Sequence, residues 1–424
     1  MPQKVSRPDH IHLYIEKYNS RRKEILFDFV NEKEYQAFLE AMDISFHTNN
    51  EEITYRPTMI LATDCSPKRA REGIVISIEL GLFFQVVNTV DNSTASRRNE
   101  RSCTVVWNIV NGKALEEIID NEALCDIIYW NSAELYGFDF LQDSFIHNYW
   151  DEIQNEDQQL ILSEELGRIK DDPYESRRQL IVWDVGQGNS NCIVSDHTAL
   201  IYDMGASSYY TTNRIIQLID HITPLLRNKY TSLVISHWDI DHYIQLCHVS
   251  DGFLKSLQCI IFPAKAFGLT AQQVLNRIAK NCKNIMAIFP PKIRGKNAIL
   301  HIGYIGNTKL FIGKNYASKN RSGILLYCEG HLEHALLTGD HTEWNPTLAN
   351  QICAKYRPLN IVIPHHGALS CNPSNPNITS KDSAVLSVGS NSYGHPFPQT
   401  IKDYSHEHYH LRRTDREGDI YIDI

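Results

Sequence analysis

The stretch S-H-W-D-I-D-H-Y, residues 236–243, is the part of the sequence from which the fold is best inferred. It contains four potential metal ligands within six positions, namely His237, Asp239, Asp241 and His242. Residues 231–236 are apolar and β-branched enough to predict a buried strand, and a loop after such a strand can direct several side chains to one point. Imidazoles and carboxylates are ligands for Zn²⁺, Mn²⁺ or Fe. The alternative is a polar loop that is merely rich in His and Asp, but two carboxylates and two imidazoles this close together favour a compensating cation.

Metal-type side chains also follow three later predicted strands. They are Asp340 after strand 335–338, His365 and His366 after strand 360–363, and His395 beyond strand 384–388. A single His or Asp at the end of a strand is often a cap or a turn residue. Because the same arrangement recurs at several strand ends, chance placement of all these residues is improbable.

From Leu180 onward, predicted strands alternate with predicted helices. Strands are predicted at 180–185, 191–195 and 199–205, and a helix at 213–226. Paired strands followed by helical crossovers predict an αββα sandwich or another α/β fold.

The length of 424 residues suggests two domains. We predict a separate α+β N-terminal domain of unknown role over residues 1–170 and the α/β domain over residues 179–424. Residues 171–178 are charged and contain Pro173, which predicts a linker.

The charge of the chain is unevenly distributed. The formal net charge is −9, which by itself argues against a polyanionic partner such as nucleic acid. Residues 1–178 hold 19 Lys and Arg against 32 Asp and Glu, a balance of −13, whereas residues 179–424 hold 22 against 18, a balance of +4. The acidity therefore belongs to the N-terminal part, and it does not exclude a phosphate-bearing substrate for the α/β domain.

The segment from residue 252 to residue 328 contains no Asp or Glu. It carries twelve cations: Lys255, Lys265, Arg277, Lys280, Lys283, Lys292, Arg294, Lys296, Lys309, Lys314, Lys319 and Arg321. Such a run can form a positive surface for phosphates. The alternative is a set of solvated charges whose partners lie elsewhere, for example on the acidic half of the chain.

The ten cysteines are scattered and form no Cys-x-x-Cys pair. Together with an N-terminus that lacks the apolar region of a signal peptide, this pattern predicts reduced thiols in a cytoplasmic protein. The longest apolar stretch, residues 73–87, contains Glu79 and is too short to span a bilayer, so we expect no membrane association.

Residues 180–424 resemble the metallo-β-lactamase fold hydrolases, and in particular the hydrolase domain of ComEC-type DNA-uptake proteins. The resemblance does not reach residues 1–170. The matching segments, in the order of the family, are WDVGQGNSNCIV (183–194), LIYDMGAS (200–207), LVISHWDIDHY (233–243), NRSGILLY (320–327), ALLTGDH (335–341), IVIPHHGALS (361–370), SVGSNSYGHP (387–396) and RRTDREGDI (412–420). The fold that the resemblance implies is the metallo-β-lactamase αββα sandwich.

The resemblance also implies a set of metal ligands. One metal ion would be bound by His237 and Asp239, the other by Asp241 and His242, and both by Asp340. Asp203 would support residues 236–243, which we call the metal loop, through hydrogen bonds. Neighbouring side chains diverge, so only one of His365 and His366 is expected to be a ligand, and we favour His366.

On the substrate side, the resemblance implies that His365 faces the substrate or the leaving group. We predict Asp241, His365 and His395 to be catalytic. Candidates for substrate contact are Asn391, Ser392, Lys292, Arg294, Lys296 and Arg321. A structural turn is the alternative for His395, Asn391 and Ser392, while Arg413, Thr414 and Asp415 are expected to pack against the closing strand.

This sequence departs from the family pattern near the metals. Most of the superfamily has His in place of Asp239, although the ComEC-type subgroup shares the Asp. Members of the family often have a further His between the metal loop and Asp340. Here the only counterpart is His301, which is out of register. Asn189 stands where the family usually has Asp after Gly-Gln-Gly. Two divalent ions are expected, Zn²⁺ or Mn²⁺, with Mg²⁺ as a third candidate. Relative to an all-His site, the oxygen-rich ligand set favours the harder cations Mn²⁺ and Mg²⁺.

Two divalent metal ions suit phosphodiester hydrolysis, since they activate water and stabilise developing negative charge. The leading prediction is therefore a metal-dependent nuclease or phosphodiesterase, with nucleic acid or another phosphodiester as substrate. The same site could hydrolyse a small ester, a lactone or a phosphocholine-type substrate. A third hypothesis is a non-catalytic or partner-regulated protein, such as an effector of phage defence, whose acidic N-terminal domain binds another protein or covers the basic surface. The oligomeric state is left open.

Overall fold

The structure is a computed structural model. It describes residues 10–19, 24–29, 35, 59–62, 75–79, 103–104, 164, 166–263, 268–288, 299–313, 320–341, 359–368, 382–391, 394–406 and 408–424. The chain forms two compact units, Met1–Phe140 with Ala266–Asn276, and Leu141–Lys265 with Arg277–Ile424. The domain boundary proposed near residue 170 stays a prediction.

The first unit contains one five-stranded sheet. Its strands are β1 (His10–Asn19), β2 (Glu24–Phe29), β3 (Met59–Ala62), β4 (Val75–Glu79) and β5 (Cys103–Thr104), in the order β4-β1-β2-β3-β5. β1 pairs antiparallel with both β2 and β4. Within this unit the buried carboxylate of Asp28 accepts a hydrogen bond from the backbone N–H of Thr270 at 2.8 Å.

The second unit contains two seven-stranded sheets. The strands of one sheet are β6 (Gln179–Val182), β7 (Ser190–Val194), β8 (Thr198–Met204), β9 (Tyr230–Val234), β10 (Cys259–Pro263), β11 (Ile285–Ile288) and β19 (Ile420–Asp423), in the order β11-β10-β9-β8-β7-β6-β19. The strands of the other are β12 (Ile299–Ile305), β13 (Thr308–Gly313), β14 (Ile324–Glu329), β15 (His334–Leu337), β16 (Leu359–Val362), β17 (Ser383–Leu386) and β18 (His410–Arg413), in sequential order. This mixture of sheets and helices confirms the α/β class.

A shared apolar core lies between these two sheets. Val182, Tyr202 and Val234 from one sheet belong to the same buried cluster as Leu326 and Leu337 from the other. All seven residues of β8 are buried, which is typical of a central strand that is covered on both faces. The two sheets are therefore held face to face by hydrophobic burial.

Both sheets contain a run of parallel strands. β8, β9, β10 and β11 are parallel to one another, as are β15, β16, β17 and β18. The carboxyl ends of parallel strands lie at one edge of a sheet, so the loops after β8, β9, β15 and β16 can converge. These loops carry the residues predicted to bind metal.

The second unit also contains most of the described helices. They are α1 (Thr212–Ile222), α2 (Ile240–Tyr243), α3 (Asp251–Ser256), α4 (Leu269–Asn281), α5 (Pro398–His406) and α6 (Thr414–Glu417), of which α4 begins in the first unit. Short 3₁₀ helices are found at Thr223–Leu226, Ile244–Cys247, Asn320–Ser322 and Pro364–Gly367. In the described part of the chain, no helix combines the length and apolar character needed to cross a membrane.

The segment 171–178, predicted to be a linker, is packed into the second unit. Arg178 is 3% exposed, and its guanidinium donates to the Asp171 carboxylate at 2.9 Å and to the Asp172 carbonyl at 2.6 Å. Asp172 in turn accepts hydrogen bonds from the Ser195 hydroxyl and from the His197 backbone N–H. Asp171, Asp172 and Arg178 of this segment are therefore paired with one another and with the turn after β7.

Candidate metal centre

The loop between β9 and α2 is held in place by its apolar side chains. Trp238 donates a hydrogen bond from Nε1 to the carbonyl of Pro263 at 2.9 Å, and its ring makes edge contacts with Phe262 and Tyr243. The polar side chains of the same loop are also buried. The exposed fractions of His237, Asp239, Asp241 and His242 are all 2% or less.

The turn after β6 closes on this loop from the other side. The backbone N–H of Asn189 donates to the Asp241 carbonyl at 2.9 Å, and that of Gly205 donates to the Asn189 carbonyl at 2.8 Å. A Cβ atom at Gly205 would lie 1.7 Å from the carbonyl oxygen of Asp241. Only glycine allows β8 to approach the loop so closely.

Asp340, which follows β15, meets two histidines from other elements. Nε2 of His242 lies 3.0 Å from Oδ1 of Asp340. Nε2 of His366, after β16, lies 4.0 Å from the same oxygen and 3.3 Å from Oδ2 of Asp241. Donor atoms of Asp241, His242 and His366 all lie within 4.8 Å of one another, a spacing that suits ligands of a single cation.

The second carboxylate oxygen of Asp340 faces the start of the metal loop. Nε2 of His237 lies 3.8 Å from Oδ2 of Asp340 and 3.3 Å from Oδ2 of Asp239. His237, His242 and Asp340 form a second group whose donor atoms lie within 4.8 Å of one another. Asp340 is therefore placed where its two oxygens could serve two cations.

These residues fit a divalent cation by the chemistry of their buried atoms. Nε2 of His237, His242 and His366 and both carboxylate oxygens of Asp340 are buried and form no hydrogen bond with the described part of the chain. A buried polar atom without a hydrogen bond costs about 1–3 kcal/mol, and these atoms all point to the same place. A metal ion would satisfy them together.

Asp203, near the end of β8, orients the histidines of the metal loop. Its Oδ2 lies 2.8 Å from Nδ1 of His242 and accepts from the Ser236 hydroxyl at 2.7 Å, while its Oδ1 accepts from the Ser236 backbone N–H at 2.6 Å. Because the carboxylate only accepts, Nδ1 of His242 donates and Nε2 is directed to the centre. Nδ1 of His237 lies 2.9 Å from the Ser236 hydroxyl, which orients that ring in the same way.

Asp203 adopts a backbone conformation that is unusual for a residue other than glycine. Its φ is +64°, in the left-handed region that Asp tolerates better than most residues. Such a conformation costs free energy and persists only where its surroundings enforce it. Here the hydrogen bonds to Ser236 and His242 do so.

His365 and His366 both have positive φ, at +49° and +53°, and their side chains diverge. His366 is 3% exposed, and its Nδ1 lies 2.8 Å from the carbonyl of Ser387, an arrangement that directs Nε2 to the cation site. The side chain of His365 is 20% exposed, with Nε2 3.6 Å from Oδ2 of Asp340. His366 is thus placed with the ligand group, and His365 lies at its more exposed side.

The charges of the centre shift the pKa values of its members. Burial acts to lower the pKa of His242, but the carboxylates of Asp340 and Asp203 outweigh it and raise that pKa well above its usual value. Burial acts to raise the pKa of Asp340, but His365 and His242 outweigh it and lower that pKa well below its usual value. The pocket therefore favours positive charge beside an ionised Asp340.

The structure places the residues predicted to contact substrate in different surroundings. The rings of His365 and His395 make an edge contact with centroids 5.4 Å apart, which places His395 beside the centre. The side chain of Asn391 forms hydrogen bonds within its own loop. Its Nδ2 donates to the carbonyls of Gly389 and His395, and its Oδ1 accepts from the backbone N–H groups of Gly394 and His395. Both polar atoms of the Asn391 side chain therefore have partners within its own loop.

Four of the predicted substrate contacts, Ser392, Lys292, Arg294 and Lys296, lie outside the described residues. Arg321 lies in the 3₁₀ helix Asn320–Ser322, but its side chain is outside the described part. Two other cations of the acid-free segment are engaged in structural contacts. Arg277 donates to the carbonyls of Leu246, Cys247 and Val249 and pairs with Asp251, and Lys309 pairs with Glu329.

Three further residues shape the centre, and sequence reasoning assigned none of them a role there. Ser236 bridges Asp203 and His237, Ser387 accepts from His366, and Asn189 donates to Asp203 at 2.7 Å. The position of Ser236 directly before the first histidine was the available signal. The hydroxyl of Thr414 accepts from the Val388 backbone N–H, just after β17, at 2.9 Å.

No model of a protein family and no curated protein matches the chain. Among solved structures, it is similar to the metallo-β-lactamase fold protein YhfI from Bacillus subtilis, with 9% identity, 58% of this chain and 100% of that chain covered, and a TM-score of 0.36. Zn²⁺-bound PqqB from Methylobacterium extorquens matches with 9% identity, 58% and 100% coverage and a TM-score of 0.34. The short form of human tRNase Z matches with 10% identity, 43% and 76% coverage and a TM-score of 0.28. At TM-scores below 0.5, these similarities carry no weight of their own for the fold or activity of this chain.

Proposed function

We propose that this protein is a metal-dependent hydrolase of the metallo-β-lactamase superfamily. The observation that carries the proposal is the convergence of buried histidines and carboxylates on Asp340, at the carboxyl ends of strands from two facing sheets. The order of the sequence motifs supports the same class. Asp239, in the position where most of the superfamily has His, favours the ComEC-type subgroup.

We further propose that the substrate is a phosphodiester, with nucleic acid as the leading candidate. Divalent cations held by His237, Asp239, Asp241, His242, Asp340 and His366 would activate water and neutralise charge that develops on the phosphate. His365, 20% exposed and adjacent to Asp340, is placed to give a proton to a leaving oxygen. The +4 balance of residues 179–424 supports an anionic substrate.

The test is an assay of the purified full chain with Zn²⁺, Mn²⁺ or Mg²⁺. The substrates are DNA, RNA, small phosphodiesters, small esters, lactones and phosphocholine esters. We expect cleavage of a nucleic acid, and its loss in Asp340→Asn and His366→Ala. His334→Gln is the control, since His334 is also buried but stacks on Tyr327 away from the cation site. Cleavage that survives both substitutions would contradict a metal hydrolase, and activity on esters or lactones alone would reassign the substrate.

We propose that the acidic N-terminal part restrains this activity and that the protein acts in the cytoplasm, as a regulated effector in phage defence. The balance of −13 in residues 1–178 against +4 in the remainder supports the restraint, and the scattered cysteines support the location. Surface electrostatic contacts weaken as ionic strength rises. If charge restrains the site, moderate salt will raise the cleavage of a small phosphodiester that carries a single charge; an unchanged or falling rate would contradict charge-based restraint.

A further inference from the structure

Asn189 contacts three parts of the metal centre at once. Its side-chain Nδ2 donates to Oδ2 of Asp203 at 2.7 Å, its backbone N–H donates to the carbonyl of Asp241, and its carbonyl accepts from Gly205. It is 4% exposed, so these contacts are shielded from water. Asn189 is not one of the proposed metal ligands.

The orientation of the Asn189 side chain is defined by a second amide. Nδ2 of Asn191 donates to Oδ1 of Asn189 at 2.7 Å, which leaves Nδ2 of Asn189 directed at Asp203. Asn191 is itself fully buried. Two neutral amides therefore form a chain of hydrogen bonds that ends on the carboxylate behind His242.

The same turn also supports the histidine that comes from the other sheet. The carbonyl of Gly188 accepts from the Ser387 hydroxyl at 2.7 Å, and the Ser387 carbonyl accepts from Nδ1 of His366. Residues 188 and 189 are thus linked through one intermediary each to His366 and to His242. A displacement of this turn would move both rings.

We propose that Asn189 is a positioning residue of the metal centre, which fixes Asp203 and through it the ring of His242. This inference rests on the proposed metal-binding function. An acceptor that receives several buried donors cannot rotate without losing them, so removal of the Asn189 amide takes away one of the contacts that keep Asp203 turned towards His242. Partners of this kind typically contribute 10–100-fold to metal affinity.

The experiment compares Asn189→Leu with wild type and with Asn360→Leu. Asn360 is a matched control because it is also buried and hydrogen-bonded. Within the described residues it donates to Glu333 and His334 and accepts from Ser383, none of which is a proposed ligand. Binding of Zn²⁺ and Mn²⁺ to the full chain is measured by calorimetry, and coordination geometry by the visible absorption spectrum of the Co²⁺ form. We expect Asn189→Leu to weaken binding about 10–100-fold and to change the Co²⁺ spectrum, while Asn360→Leu lowers the melting temperature only.

A folded Asn189→Leu protein with wild-type affinity and spectrum would overturn the proposal, as would an equal loss of affinity in Asn360→Leu. If Asn189→Leu does not fold, Asn191→Ala decides, because it keeps Asn189 and removes only the donor that orients it. A smaller loss of affinity in Asn191→Ala supports the proposal, and no loss overturns it. Wild-type protein that binds none of these ions would instead refute the proposed function.

Discussion

Oδ2 of Asp203 lies 2.8 Å from Nδ1 of His242, on the opposite side of the imidazole ring from Asp340. The ring is thereby held between two carboxylates, one that fixes its orientation and one that would share a cation with it. The same Asp203 oxygen accepts from Ser236, whose hydroxyl lies 2.9 Å from Nδ1 of His237. One carboxylate that binds no cation itself therefore orients two of the histidines that would.

We expect Asp203→Asn to weaken the binding of Zn²⁺ or Mn²⁺ about 10–100-fold. Asn tolerates the positive φ of this position, but one of its two side-chain ends is a donor and would face the donors Asn189 and Ser236. Calorimetric titration with metal measures the effect. Asp172→Asn is the control, because it removes a hydrogen-bonded carboxylate from the segment 171–178; equal weakening in both variants would contradict a specific role for Asp203.

His365→Gln should lower the turnover of a phosphodiester substrate by about 10²–10⁴-fold and leave the metal content unchanged. The reason is that His365 is partly exposed and placed beside the centre, whereas His366 lies among the ligands. Single-turnover kinetics and elemental analysis measure the two quantities. His221→Gln, on the exposed face of α1, is the control, and loss of bound metal in His365→Gln would place His365 among the ligands instead.

Gly205→Ala should destabilise the protein by about 1–3 kcal/mol or more and should weaken metal binding as well. The added Cβ would lie 1.7 Å from the Asp241 carbonyl oxygen, so either β8 or the metal loop must move. Urea unfolding and metal titration measure the two effects. At Gly252, in α3, the nearest atom to an added Cβ is 3.6 Å away, so Gly252→Ala should leave both unchanged or raise stability.

The Asp172 carboxylate predicts a pH-dependent contribution to stability. Its pKa is lowered: burial acts to raise it, but the hydrogen bonds from Ser195 and His197 outweigh burial. A carboxyl group with a lowered folded-state pKa stabilises the fold above its unfolded pKa of about 3.9, and that stabilisation is lost as pH falls through the folded value.

We therefore expect Asp172→Asn to lower the free energy of unfolding by about 1–3 kcal/mol at pH 7, and by progressively less below about pH 4. Urea unfolding across this range gives the difference from wild type. Asp196→Asn changes an exposed carboxylate in the neighbouring turn and should show no such trend. A difference for Asp172→Asn that is constant with pH would contradict an ionised role.

Much of the second unit is predictable from local sequence pattern. The strands predicted at 180–185, 191–195 and 199–205 correspond to β6, β7 and β8, and the helix predicted at 213–226 overlaps α1 and the 3₁₀ helix Thr223–Leu226. These segments are buried on both faces or amphipathic, so apolar runs and periodicity identify them. The hairpin of β12 and β13 lies in the acid-free segment, outside the predicted strands.

The sequence by itself determined the α/β class. It also predicted the loop 236–243, Asp340 and one of His365 and His366 as metal ligands, because these predictions depend on residue type and on strands that local pattern reveals. Only the tertiary structure decided that residues 171–178 are packed and that Asn391 serves its own turn. It also decided that Asn189, Ser236 and Ser387 orient the histidines. Those roles depend on hydrogen-bond partners from distant segments and from both sheets, and the geometry of such pairs exists only once hydrophobic burial has brought the sheets face to face.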